Sequence, residues 1–349
     1  MTDNVTQQTA PKPAGGLKRW IGYGLKYLVP LLVTVLLCKL LFDGVDFREM
    51  MTIIREQCDF RWIGLALVIS ILSHVFRAMR WRIQLSALDI KAPLFPLILS
   101  IFGTYAVNLV LPRLGEIWRT GYIAKRQDAP FATVFGSMVA DRLADTFTVL
   151  TLTLITFFLA SAQLSDYFAG NSATIDSLIH LATSPWLWGG VVALIALAWW
   201  FLRRPTENRF ILKIKGFISG LWEGFAVIAT MPGKGRWLLL TVCIWGCYFL
   251  QLYVAFFAFS FTSAIVADYG TLAVLVTFVL SSISMGVPSN GGIGPWQWSV
   301  IVALGMYGLA QVPATAFANL VMGCQTLLLI LLGIFTFICI ALDRRRQSK

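Results

Sequence analysis

The segment "DRLAD", residues 141–145, sets two carboxylates and a guanidinium inside an otherwise apolar run that begins near Phe131 and continues to Ala162. Residue types of this kind can hold an anion or pass a proton, and a carboxylate pair can act as a general base or a metal ligand. Asp141 and Asp145 are four residues apart and share one face of a helix, while Arg142 lies about 100° around the axis from Asp141. One local Asp–Arg pair therefore cannot neutralise all three groups. If the run crosses a bilayer, Asp141 sits about 16 Å along it at about 1.5 Å per residue, near the centre. An uncompensated Asp or Arg there costs roughly 2.5–3.5 kcal/mol. The three groups must find partners on other helices, as a buried ion pair that locks helices together or as the wall of a polar cavity. Three charges exceed what packing needs, which favours the cavity.

A second polar constellation is "NLVLPRLGEIWR", residues 108–119. Pro112 removes a backbone donor and breaks the helix, and Gly115 tolerates a crowded backbone. Glu116 and Arg119 place opposite charges one turn apart, with Asn108 and Arg113 beside the break. A third, "GVPSNGGIGPWQW", residues 286–298, carries glycines at 286, 291, 292 and 294 and prolines at 288 and 295, a density no continuous helix survives. Its backbone N–H groups, followed by a helix starting near Pro295, form a candidate anion site. No Lys-Ser/Thr follows the glycines, which excludes a nucleotide-phosphate loop. Both breaker segments run Pro, polar residue, Gly, Trp, one in each half of the chain, a pointer to an inverted repeat with the site at the repeat interface.

The solvent in which these groups sit follows from composition. Of 349 residues, 58% are hydrophobic and 13% charged, and the mean hydropathy is +0.75. These values describe an all-α integral membrane protein with a single helical domain. The six cysteines show no metal spacing; Cys243 and Cys247 are i, i+4, but with His74 and His180 as the chain's two histidines no metal site is expected. The net charge of +11 fits basic cytoplasmic loops against anionic lipid better than nucleic-acid binding.

Charge bias orients the chain. Residues 1–16 are polar, lack a cleavable leader's apolar core, and read as a disordered cytoplasmic tail. A first crossing at 20–42 opens on Lys18, Arg19 and Lys26, and an acidic outer segment spans 43–61. A second crossing, 62–79, exits at Arg77, Arg80, Arg82 and Lys91 on the cytoplasmic side. Positive charge flanks 94–111 on both sides, so this run enters and returns as a re-entrant hairpin. Further crossings fall at 131–162, 185–202, 237–261, 267–287, 296–311 and 314–342, with an outer loop at 163–180 and an interfacial helix at 209–231. About eight crossings with two broken segments return both termini to the cytoplasm, and 344–349 forms a basic tail after a domain of residues 17–343.

Four stretches in this order, "RAMRWRIQL" (77–85), "NLVLPRLGEIWR", "ADRLAD" (140–145) and "VPSNGGIGPWQW" (287–298), resemble the lysylphosphatidylglycerol synthase transmembrane-domain family, also called flippase-like membrane proteins. The resemblance covers roughly residues 20–342. It implies a multi-pass protein of the bacterial inner membrane that moves lipids between leaflets, as in the translocating half of the multiple peptide resistance factor. In that protein a separate cytosolic domain attaches lysine to the lipid; this chain shows no such domain, so lipid aminoacylation is not expected. Family members commonly carry Glu where this chain has Gln297, which removes an ionisable group there.

The expected function is a flippase for an anionic or phosphate-bearing lipid, a phospholipid or polyprenyl phosphate, with no cofactor and no nucleic-acid partner. The head group would meet Asn108, Arg113, Glu116, Arg119, Asp141, Arg142, Asp145, Gly291, Gly292, Gly294 and Gln297. The guanidiniums would offer bidentate geometry to phosphate and the glycines a close backbone approach. Two other classes compete: a membrane lipid-phosphate transferase using Asp141 or Asp145, against which stands the lack of an evident nucleophile or acidic metal motif, and an accessory scaffold for a glycolipid or cell-envelope enzyme.

Overall fold

The computed structural model describes residues 47–160, 209–287 and 289–347, with isolated positions at 185 and 189. The expected tail 1–16, the crossing 20–42, the outer loop 163–180 and nearly all of the crossing 185–202 lie outside the described residues. Every regular element among the described residues is helical: α1 (Phe47–Gln57), α2 (Phe60–Ser86), α3 (Leu94–Val110), α4 (Leu114–Arg126), α5 (Phe131–Leu159), α6 (Arg209–Thr230), α7 (Lys234–Ala255) with a 3-10 turn at Phe256–Ala258, α8 (Ser260–Tyr269), α9 (Thr271–Ser284), α10 (Pro295–Met306) and α11 (Gln311–Gln347). Four of the described helices are long and apolar enough to cross a membrane: α2, α5, α7 with its 3-10 turn, and α11, with a fifth if the bent pair α8–α9 counts as one span.

α2 shows why this chain folds for a lipid solvent. Its buried positions include Ser70, Ser73, Arg77, Arg80 and Gln84, spaced three or four apart on one stripe, with His74 beside them. Leu65, Val68, Leu72 and Met79 point outward. Polar groups face protein and apolar groups face the surroundings, the arrangement hydrocarbon demands. The expected exit at residue 79 is therefore corrected. The helix runs on to Ser86, and Arg77 and Arg80, expected on the cytoplasmic side, are buried inside the bundle at 2% and 0% exposure.

The run 94–111, expected to enter and return within itself, forms a single unbroken arm, α3, of a hairpin whose return arm is α4. α3 has 17 residues. At the helical rise its length is about 25 Å, short of a hydrocarbon core of about 30 Å. It stops at Leu111, and α4 restarts after Pro112 with Arg113 in the left-handed conformation (φ 63°). Asn108 closes the break: its Oδ1 accepts from the Gly115 N–H at 2.8 Å, and its Nδ2 donates to the Glu116 carboxylate at 3.1 Å. A methyl group at Gly115 would overlap the Thr104 carbonyl oxygen and crowd Asn108 Oδ1 at 2.8 Å. Gly115→Ala is accordingly expected to cost about 1–3 kcal/mol by overpacking. Gly121→Ala on the same helix has its nearest neighbour at 4.0 Å and should be neutral or stabilising. Unfolding midpoints of both variants in detergent check this.

The crossings expected at 267–287 and 296–311 take a different form. α9 has 14 residues and α10 has 12. Their lengths, about 21 and about 18 Å, are too short to span alone. They pack on each other as a second hairpin around the glycine-rich loop. Residues 260–269 form their own helix, turned by 112° from α9. The turn falls at Gly270, where φ is 68°, a conformation that favours glycine. The order long helix, hairpin of two short helices, long helix occurs as α2, α3–α4, α5 and again, with α8 inserted before the hairpin, as α7, α9–α10, α11. A helix forms where one was expected at 209–231, as α6, and it packs on α5 with Gly224 facing the Thr133–Ser137 backbone. The expected outer segment 43–61 contains α1, whose buried Met50 receives the Asn319 amide at 3.6 Å.

Candidate functional site

The carboxylates of α5 meet arginines from α2. Arg80, fully buried, donates from Nε to Asp141 Oδ1 at 2.9 Å and from Nη2 to Asp145 Oδ1 at 2.8 Å. Its Nη2 also lies 2.6 Å from Asp141 Oδ1, and its Nη1 reaches Thr241 Oγ1 on α7 at 3.2 Å. Arg77 holds Asp145 Oδ2 at 2.6 Å and Asp141 Oδ2 at 3.4 Å, and its other nitrogens reach the Tyr248 hydroxyl on α7 at 3.2 and 3.4 Å. The i, i+4 carboxylates of α5 are matched by i, i+3 guanidiniums on α2, a spacing that aligns both pairs along facing helices. Charge-assisted, multiply bonded pairs of this kind are the strong ones.

Two further arginines are placed differently. Arg119, at 0% exposure, enters from α4; its Nη2 lies 3.6 Å from Asp141 Oδ2 and its guanidinium stacks 4.5 Å over the Trp81 ring. Trp81 is held in turn by a bond from its indole N–H to Ser137 Oγ at 3.1 Å. Arg142 approaches Asp145 at 3.8 Å, with 31% of its side chain exposed. All three guanidinium nitrogens of Arg119 and two of Arg142, Nε and Nη2, are buried without a hydrogen-bond acceptor. Glu116 lies within electrostatic reach of both arginines while bonded to Asn108. The guanidiniums of Arg77, Arg80, Arg119 and Arg142 thus face the carboxylates of Asp141, Asp145 and Glu116, leaving positive charge in excess in a low-dielectric surround.

The centre of the charged network is closed to solvent in this conformation. Asp141, Arg80 and Arg119 have no exposure, while Asp145 (13%), Arg142 (31%), Asn108 and Glu116 are partly open. The network joins Asp141, Arg142, Asp145 and Arg119 and places Asn108 and Glu116 beside them. Arg77, Arg80, Thr241 and Tyr248 are members that sequence reasoning misses, although a polar stripe at helical spacing on α2 announces the first two.

The glycine loop lies against the first hairpin. The Arg113 guanidinium donates to the Gly286 carbonyl at 3.3 Å, and a side chain on Gly291 would meet Leu109 at 2.5 Å. The tips of the two broken segments therefore touch. Gly291, Gly292 and Gly294 all have positive φ (63°, 86° and 96°). Two amides of the loop and two in the first turn of α10 are engaged locally: Ile293 N–H to Asn290 O, Gly294 N–H to Gln297 Oε1 at 2.7 Å, Trp296 N–H to Gly292 O and Trp298 N–H to Gly294 O. These four amides already have acceptors. Gln297 also donates to Asn319 on α11 at 2.8 Å, so in this chain the position ties the loop to a long helix. Asn108 and Gln297 play matching parts, each accepting an amide at the start of the second short helix of its hairpin.

Known proteins share this sequence pattern over much of its length. The chain is 24% identical to a UPF0104 membrane protein of Pyrococcus horikoshii over 321 residues, 85% of this chain and 92% of the relative. It is 22% identical to a UPF0104 membrane protein of Methanocaldococcus jannaschii over 66% of this chain and 71% of the relative. Glycosyltransferase AglD of Haloferax volcanii is 24% identical over 84% of this chain, which matches 50% of that longer protein. These relatives are archaeal. No solved structure matches the chain significantly. The model of the lysylphosphatidylglycerol synthase TM region matches residues 27–333, which contain both hairpins and the whole ion network, and the chain is a multi-pass membrane protein that belongs to that family.

Proposed function

We propose that the protein moves an anionic, phosphate-bearing lipid between leaflets of the cytoplasmic membrane, its basic ends on the cytoplasmic side. The observation that carries this reading is the set of buried guanidinium nitrogens on Arg119 and Arg142 that lack an acceptor, in a site with surplus positive charge. A phosphate offers several acceptor oxygens and the compensating charge, and guanidiniums bind it in planar, bidentate fashion. Asp141 and Asp145, saturated by Arg77 and Arg80, hold the scaffold on which those donors are presented. At the hairpin tips Leu109 packs on Gly291, and the polar link beside it, Arg113 to the Gly286 carbonyl, is exposed and weak enough to part as a head group passes.

The protein reconstituted in liposomes is expected to accelerate leaflet exchange of fluorescent phosphatidylglycerol, with the lipid recovered chemically unchanged. Absence of acceleration for both phosphatidylglycerol and polyprenyl phosphate refutes translocation. A second reading is favoured by the relationship to glycosyltransferase AglD, whose other half lies outside the shared region. In that reading the membrane domain presents a lipid phosphate to a transferase, and recovery of a glycosylated or otherwise altered lipid, in the presence of such an enzyme, supports it.

A further inference from the structure

The seam between α3 and α11 is tight at one end and open at the other. Gly333 of α11 lies against Ala106 of α3, and the Thr336 hydroxyl reaches the Leu99 carbonyl at 3.4 Å. One turn further toward the start of α3 and the end of α11 the helices part around a cavity of about 230 Å³. Its walls are Phe95, Leu99, Tyr122, Cys339, Ile340 and Leu342, and its mouth carries Arg126 and Asp343, paired Nη1 to Oδ2. Phe95 and Leu342, each 55% exposed, stand at its outer side. This end of the molecule also carries Lys125 in the last turn of α4, and the sequence continues past Asp343 with three arginines.

We propose that this groove binds an anionic phospholipid, one acyl chain lying between α3 and α11 and the phosphodiester on Arg126. The site is separate from the ion network and stands whether or not the network translocates lipid. An apolar slot that opens sideways and ends at a cation reproduces the order of a lipid, chain first and phosphate last. Arg126 at the mouth, with Lys125 next to it in the last turn of α4, favours an anionic head group over a zwitterionic one. A guanidinium carries five N–H donors, and Asp343 engages one of the terminal nitrogens of Arg126, so a phosphate oxygen can share the group. Asp343 is then a competitor of the ligand: a carboxylate at the mouth repels the phosphate and occupies part of its binding partner.

Cys339 in the wall serves as the reporter. In full-length protein whose other cysteines (Cys38, Cys58, Cys243, Cys247, Cys324) are serine, alkylation of Cys339 by N-ethylmaleimide in mild detergent is followed with added dioleoyl phosphatidylglycerol or dioleoyl phosphatidylcholine. Phosphatidylglycerol is expected to slow alkylation at least fivefold and phosphatidylcholine less than twofold. Arg126→Gln should abolish the difference between the lipids. Asp343→Asn should lower the phosphatidylglycerol concentration needed for half-protection severalfold. Equal protection by both lipids overturns the head-group assignment, and protection by neither overturns the site. If Arg126→Gln and Asp343→Asn both weaken protection, the pair is a latch between α4 and α11 and the proposal fails.

Discussion

Replacing Arg80 by leucine is expected to lower stability by about 3–5 kcal/mol, the loss typical when one partner of a buried ion pair is removed. Arg80 has no exposure and contacts both carboxylates, so its removal leaves Asp141 buried with only the longer contacts from Arg77 and Arg119. The double variant Arg80→Leu, Asp141→Leu is expected to recover most of that loss, because replacing both members with apolar groups removes the desolvation cost together with the attraction. Asp145 remains neutralised by Arg77 at 2.6 Å in the double variant. A double-mutant cycle on unfolding in detergent measures the coupling, expected above about 2 kcal/mol given direct contact in one network. Near-additive losses would show that the pair does not hold α2 to α5. Lipid exchange by the double variant answers a separate question: normal exchange would make this pair purely structural.

Arg142→Gln is expected to show the opposite pattern, a stability change under about 1 kcal/mol with leaflet exchange slowed more than tenfold. Its ion contact with Asp145 is long, at 3.8 Å, and its side chain is partly open. Under those conditions an ion pair contributes little to stability. What the substitution removes is two buried nitrogens with no acceptor, together with the positive charge that would attract a phosphate. A tenfold loss corresponds to ~1.4 kcal/mol, within the strength of one charge-assisted hydrogen bond. Arg142→Lys should restore exchange only in part, since an ammonium keeps the charge and lacks the planar fork. Comparing exchange rates with unfolding midpoints in the same preparations makes the test. Full activity of Arg142→Gln would remove the residue from the transport reading.

The long helices are legible in the sequence because bilayer thickness and hydrophobic runs constrain each other: the apolar run 131–162 marks a crossing, and α5 occupies Phe131–Leu159. The first hairpin is legible through Pro112, which marks its break, but not in its extent: the positive charge that follows residue 111 lies on the return arm α4, where Arg119 is buried. The second is less so. Its two arms, α9 and α10, are as apolar as spans, and hydropathy does not distinguish two short helices folded on each other from two crossings. Length does, since α10 ends at Met306 and has only 12 residues from Pro295.

At the site, the sequence by itself determined that Asp141, Arg142 and Asp145 needed partners from elsewhere, because helical geometry and the cost of charge in hydrocarbon do not depend on the rest of the fold. Which groups would answer was decided only by the tertiary structure. Arg77 and Arg80 are carried inward because α2 runs on to Ser86, past the exit that charge bias suggests. A positive-inside count treats every arginine near a helix end as a marker of the cytoplasm. Likewise the glycines at 291, 292 and 294 and the prolines at 288 and 295 announce a break in any lipid-facing sequence, but what the loop packs against depends on the tertiary fold. That packing brings Leu109 against Gly291 and Asn319 to Gln297, contacts between residues far apart in the chain that no local pattern encodes.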